Sequence, residues 1–571
     1  MRARAWTRLI LGSAAFLLVW AGYVGLFGGF STRVLGVRLT SDDPFRALVA
    51  GSILGAIGLI ATTFRLPSNS ATAATLAARC AGALATLACV LGILYGTFVA
   101  GGADAYGYVS QALLWATGHI IADAPLARDA QWPDAQWALT PLGYRPGLER
   151  GQMVPTAPPG LPILMALFRR LVGETGVYLV VPLLAGLSIW LTYVLGMKLA
   201  GPAAGMLAAV ALFSSPSFLL QLMFPMSDVP AMSLWLLATV LGLGRTRASS
   251  FASGAATAVA VMIRPNLVIL AIPLAVLVAS RGASRQDRVR RGLAWALAAA
   301  CGPLFIAIVN ARLYGSPVSS GYGRLSNLFS FDHAWPNVSR YSEWLLTTQT
   351  PFILLGIVAV PLFYRRKDHQ GLWLSAWCLA FSACVALAYL WYLPFDNWSY
   401  VRFLLPAYPM LLVTASATLV LLLQRHRRAH GIILAVGLVL VCHGLWQGRV
   451  AFGVREGESR YRIAGEMART LPTNAVVISN LHSGSVRYYG NRVTVRYEWL
   501  GADGYGPAVR YLREHGHPVY VMLDDSEVQA FRERYAATND LSWMNDSPAA
   551  VAAGRVFLFA LPNPESPVPS P

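Results

Sequence analysis

CAGALATLACVLGILYGTFVAGGADAYGYVSQALLWATGH, residues 80–119, decides the fold. Cys80 to Ala100 is an unbroken apolar run, long enough as a helix to cross roughly 30 Å of hydrocarbon. Gly101 and Gly102 break it, and Asp104 follows at once. From Tyr106 onward, Val109, Leu113, Ala116 and Ile120 fall on one helical face, with Gln111, Thr117 and His119 among the polar positions. The spacing predicts an amphipathic helix lying at a membrane surface, with a carboxylate at the point where the chain leaves the bilayer.

The same run recurs along the chain. Apolar stretches cover about 9–30, 46–64, 80–100, 176–199, 203–223, 229–244, 252–264, 266–280, 292–313, 350–364, 371–393, 403–424 and 430–448, which is about thirteen spans. The 571 residues are 56% hydrophobic and only 13% charged, against about a quarter charged in a soluble domain. An ordinary soluble protein is excluded; the reading is a polytopic helical bundle. The basic, then apolar start (Met1 to Phe30) lacks a small-residue cleavage site and reads as an uncleaved first span. The seventh and eighth runs are short and split by Arg264-Pro265, so they form a bent pair or one kinked helix. All six cysteines lie inside apolar runs without metal spacing, as packing residues and not as a disulfide framework.

The net charge of +18 resides mostly in short loops, which excludes a nucleic-acid partner and fits the positive-inside rule. With Arg2, Arg4 and Arg8 cytoplasmic, alternate loops hold Lys198, Arg245, Arg281, Arg285, Arg291, Arg365 and Arg425 with few acids. The opposite loops hold Asp104, Asp228, Asp332, Glu343 and Asp396. The later loops keep this parity only if the seventh and eighth runs cross separately. Three outer segments exceed connector length: 101–175, 314–349 and the tail from about 450. The expected division is a membrane domain over 1–449, whose outer loop 101–175 carries amphipathic helices, and a small α/β domain over 450–571 outside the membrane. In the tail, NAVVISN, RVTVRYEW, HPVYVML and GRVFLFAL read as strands, and 459–470, 507–515 and 526–535 as helices, before a proline-rich end (561–571) expected to fray.

Asp104 reads two ways: a base at a membrane exit, or a helix N-cap. Asp228, in MSDVP (226–230), divides likewise between a functional acid at the same outer mouth and an N-cap. Together they could share the work, one taking a proton and the other orienting a sugar or binding a metal. Arg264 and Arg402 sit at outer loop ends, away from the side where arginines gather; each reads as a phosphate ligand or a snorkelling anchor. Tyr144, Arg145 and Tyr322 are candidates for a cavity wall or for turns, and His119 is a polar candidate beside them. A second amphipathic helix, PPGLPILMALFRRLVG (158–173), ends in Arg169 and Arg170, which suit a headgroup anchor or a lipid phosphate. His482 is a lone histidine of structural type, and Trp391, Tyr392, Trp398 and Tyr400 suit an interfacial belt. No P-loop, zinc pair, nucleophile elbow or dinucleotide fingerprint is present, so an activated donor would arrive as a lipid.

The ordered set of GGADAYGYVSQALLWATGH, PPGLPILMALF, SDVPA, IRPN and RFLLPAYP resembles the C-type superfamily of membrane glycosyltransferases, in the branch of protein O-mannosyltransferases and aminoarabinose transferases. The resemblance covers most of the membrane domain. It implies an inverting transfer from a polyprenyl-phosphate sugar to a hydroxyl on a glycan, lipid or protein acceptor, with Asp104 as base, Asp228 as second acid and arginines around the lipid phosphate. It implies a bacterial inner-membrane enzyme working at the periplasmic face. It leaves the sugar undecided, along with any divalent metal. Three departures stand out: two extra spans precede Asp104, Ala105 follows it where the mannosyltransferases have a second acid, and no phosphate-binding lysine stands near PPGLP. The rival readings are a lipid-linked glycan polymerase or ligase, a transporter or flippase, and a non-catalytic assembly protein that recruits partners through the tail.

Overall fold

The computed structural model describes residues 2–561 apart from 28, 35–36, 42, 62–69, 324–325 and 327. The tail beyond Leu561, where fraying was expected, lies outside the described residues. Every one of the apolar runs becomes a helix or a bent pair of helices. Among the described residues eight helices are long and apolar enough to cross a membrane, or up to ten if each bent pair is one span. The bends are 62° between Pro202–Phe213 and Pro216–Leu222, and 108° between Phe331–Gln349 and Pro351–Arg365. Three shorter apolar helices, Asp228–Gly242, Arg247–Ile263 and Pro265–Ser280, fill the remaining runs.

The last two of these form a hairpin with Arg264 at its apex. Arg264 has an extended backbone (φ −137°, ψ 88°), the conformation a following proline favours, and Pro265 cannot donate to the helix before it. Arg245, before the first helix, and Arg281, after the second, lie close enough to repel each other, so both are at the same end of the bundle. The two runs therefore lead out to Arg264 and back to one end of the bundle. Close packing fixes the hairpin: Gly254 meets the Trp295 backbone of Arg285–Tyr314, and Gly302 of that helix meets Ala258. A Cβ on either glycine would strike a backbone oxygen. Between lipid-facing helices such close approach, not apolar burial, supplies the cohesion.

The tail builds a five-stranded sheet in the order Val493–Val495, Val476–Ile478, Val519–Asp524, Val556–Ala560, Ala550–Ala552. The first three strands are parallel, and the last two join antiparallel. Helices Val454–Arg469, Tyr505–Glu514 and Asp525–Tyr535 accompany it, matching the periodic segments of the sequence. Helix Ser483–Gly490 has no apolar periodicity to announce it. The outer loop contributes a three-stranded sheet and short helices whose Ala124, Trp132, Ala135 and Leu139 pack into the tail's core beside Val495, Leu512 and Phe531. Loop and tail thus share one interior.

The candidate active site

Asp104 opens helix Asp104–Ala116. The N-cap position belongs to Ala103, and no side chain caps the helix, so Asp104 is not the cap its sequence position suggested. The helix is also not a surface helix: Ala105 through Ala112 are all buried. The tail covers it, with Gly484 against the Tyr106 ring and Tyr488 edge-on to it. On another side Gly143, at φ +81°, lies so near Gly107 that a Cβ there would come within 2.8 Å of the Gly107 Cα. Both its backbone conformation and this approach demand glycine. Helix Gly160–Val172 behaves as expected, burying Leu161 and Met165 and exposing Leu171. Its Arg169 pairs with Glu174, and Arg170 donates to the Ala116 carbonyl at 2.9 Å. Both arginines hold protein groups.

Asp228 likewise starts its helix without capping it; Ser227 occupies the cap position. Its Oδ1 accepts from Arg264 Nη2 at 2.6 Å, and the side chain is 1% exposed. Arg264 also donates from Nε to Ser227 Oγ at 3.1 Å and from Nη1 to the Tyr389 hydroxyl at 3.0 Å. Tyr108 donates to the same Ser227 Oγ at 2.9 Å, which ties the Asp104 helix to the Asp228 helix. Removing one member of so buried a pair would cost about 3–5 kcal/mol, because an uncompensated charge would remain.

Arg402 comes from the 3₁₀ segment Trp398–Ala407. Its guanidinium bridges the two carboxylates: Nη2 is 3.3 Å from Asp104 Oδ2, and Nε is 3.9 Å from Asp228 Oδ1. It stacks over Tyr400 at 5.0 Å and Phe403 at 5.5 Å, and Nε has no hydrogen-bond partner. Asp228 Oδ2 is also buried and unpartnered. Asp104 is 48% exposed and faces open space. These groups line one cavity of about 870 Å³. Its remaining wall is largely apolar and aromatic, including Val268, Ile306, Tyr389, Tyr392 and Phe395.

Five of the eight candidate residues meet in this cavity: Asp104, Asp228, Arg264, Arg402 and Tyr322. Three do not. Tyr144, on strand Tyr144–Pro146, is buried against Tyr106. Arg145 donates to the Ser320 carbonyl and stacks between Trp137 and Tyr314. His119 is exposed beyond the far end of its helix, 3.3 Å from Thr117 Oγ1. Arg145 thus stands directly behind the cavity wall, since Ser320 and Tyr314 both line it. Sequence reasoning missed Tyr108, Ser227 and Tyr389; of these only Ser227, beside Asp228 in MSDVP, had a local signal. Tyr392 and Tyr400, read as an interfacial belt, stand in the cavity wall.

Among the described residues no group of three or more His, Cys, Asp or Glu side chains converges. The two carboxylates of the cavity are each faced by a guanidinium.

Residues 156–310 match the sequence model of the dolichyl-phosphate-mannose-protein mannosyltransferase family. That segment holds Asp228 and Arg264 but neither Asp104 nor Arg402. No curated protein matches the chain in sequence. Among solved structures, ArnT from Cupriavidus metallidurans in the apo state is similar, with TM-score 0.52 and 12% identity over 84% of this chain and 97% of that one. The same protein bound to undecaprenyl phosphate gives 0.51 and 14% over 84% and 96%. The arabinofuranosyltransferase AftD from Mycobacteria gives 0.50 and 15%, over 84% of this chain but 40% of that larger one. The chain has the fold of the C-type membrane glycosyltransferases, the superfamily its sequence motifs resemble.

Proposed function

We propose that the chain transfers a sugar from a polyprenyl-phosphate donor to a hydroxyl acceptor, at the non-cytosolic face of the membrane and with inversion. One observation carries the reading: a half-exposed carboxylate and a buried carboxylate are joined through a single guanidinium at the wall of a large, mostly apolar cavity. The fold shared with ArnT, whose structure has been solved with undecaprenyl phosphate, supports a lipid-linked donor.

Asp104 takes the proton from the acceptor hydroxyl. The acceptor oxygen attacks the anomeric carbon from the face opposite the lipid phosphate, a C–O bond forms, and the bond from carbon to the phosphate oxygen breaks. The phosphate leaves with the electron pair as an anion. Arg402 is the cation to receive it. Arg264 spends its donors on Asp228, Ser227 and Tyr389, whereas the terminal nitrogens of Arg402 make only long contacts, Nη2 to Asp104 at 3.3 Å and Nη1 to Met226 Sδ at 3.5 Å. A planar guanidinium with free donors matches a phosphate through two parallel bonds and stabilises charge as it develops. Asp228, itself fixed by Arg264, holds Arg402 from behind.

The test is the set of polyprenyl-phosphate sugars that accumulates in a strain lacking the chain. Purified protein given the accumulated species and an extract of acceptors should release the lipid phosphate and form a glycoside of opposite anomeric configuration, read by mass spectrometry and NMR. Retention of configuration, or movement of the intact lipid-linked sugar without cleavage, would overturn the proposal.

A further inference from the structure

A second cavity, of about 180 Å³, lies at the other end of the bundle. Three helix ends build it: Lys198 near the close of Gly176–Ala200, Arg281 just after Ala271–Ser280, and Asp368 with Gln370 at the start of His369–Leu390. Tyr389, which holds Arg264, stands at the far end of that last helix. Its 22 residues, rising ~1.5 Å each, separate the two cavities by roughly 30 Å, about one membrane thickness. The hollow is far larger than the ~10–15 Å³ one water needs.

Its charges are unequally committed. Asp368 Oδ1 accepts from the Gly371 backbone N–H at 2.9 Å and caps its helix. Among the described residues no ion pair engages Lys198 or Arg281, and Arg281 Nε is buried without a hydrogen-bond partner. Next to it Arg291 is wholly buried, its Nη2 donating to the Gly244 carbonyl at 2.6 Å and its Nη1 unpartnered. Burial first, then the charges of Arg245 and Arg291, hold the Arg281 guanidinium below its ordinary range. Cations crowded together with free donors are relieved by an anion. A guanidinium fork and an ammonium converging on one polar hollow match a tetrahedral phosphate, which offers acceptors to both at once.

We propose that this cavity binds a phosphate group through Lys198 and Arg281, carried by a lipid headgroup or by a soluble phosphate. The site is independent of the transfer chemistry at the opposite end.

Full-length protein in neutral detergent is the material for the test. Native mass spectrometry would count phosphatidylglycerol molecules retained, and isothermal titration would measure inorganic phosphate. In the double variant Lys198→Gln/Arg281→Gln, binding of at least one probe should weaken by about tenfold or more, the scale of two lost charge contacts. Loss of the lipid alone assigns the headgroup, and loss of inorganic phosphate alone assigns a soluble ligand. Asp368→Asn keeps a competent helix cap while removing the one negative charge, so it should tighten the same probe several-fold. That opposite sign stays readable even if the double variant fails to fold. If neither probe binds wild type, or if the double variant and Asp368→Asn both bind like wild type, the site is refuted.

Discussion

The large cavity contains two carboxylate–guanidinium pairs that differ in almost everything but chemistry. Arg264–Asp228 is closed: 2.6 Å long, nearly without solvent, and backed by Ser227 and Tyr389. Arg402–Asp104 is open: 3.3 Å long, with the acid about half exposed. A buried pair is costly to break and slow to change partners, whereas an exposed pair contributes under ~1 kcal/mol and exchanges freely. On the proposed reading the contrast separates a part that organises from a part that reacts, and Arg402, touching both acids, is the joint between them.

Exchanging the two roles is the strongest way to break this division. Asp104→Asn should lower kcat by about 10²–10⁴, the range a general base supplies, while thermal unfolding of the purified protein stays close to wild type. A large fall in melting temperature instead would make the open pair structural. Arg264→Gln should do the reverse, lowering stability by about 3–5 kcal/mol in a denaturation series, with activity lost only as folded protein is lost. Arg402→Lys keeps the charge but not the fork. It should raise the KM for the lipid donor about tenfold and change kcat less, and an unchanged KM would remove the phosphate from Arg402.

The smallest expected effect lies far from both pairs, in the α/β tail, and sharpens the comparison with a third carboxylate. Burial alone would raise the Asp524 carboxyl, but hydrogen bonds from His482 and Ser526 outweigh it and hold the group well below the usual carboxylate range. A depressed acid contributes stability that is present above its unfolded value, ~3.9, and is lost as pH falls through the folded one. The tail should therefore loosen in acid, and Asp524→Asn should flatten that pH dependence in hydrogen exchange across Val519–Asp524. An unaltered acid profile in the variant would assign the loosening to other groups.

The membrane part was legible because a span needs about twenty apolar residues and little else looks like that. Arg264 at a proline break and Asp228 before a proline were visible as charges where charges are expensive. Tyr389 was not, since an aromatic near the end of an apolar run reads as core until its hydroxyl is seen bonded to Arg264. Tyr144 and Arg145 lie one layer behind the wall, against Tyr106 and against Ser320 and Tyr314, and a local pattern cannot tell lining from backing. The burial of helix Asp104–Ala116 was equally hidden: its cover comes from Gly484 and Tyr488, in a tail that the local pattern could not associate with it.

Arg487 of the tail donates to the Leu139 carbonyl across 348 positions of chain. The segment that seats Asp104 therefore has no completed interior until the tail that carries Arg487 has been made and has folded back onto it. Contacts so distant in order close late. A fragment ending before the tail would leave Ala124, Trp132, Ala135 and Leu139 of the outer loop bare of the partners that bury them, an apolar face open to proteases and to self-association.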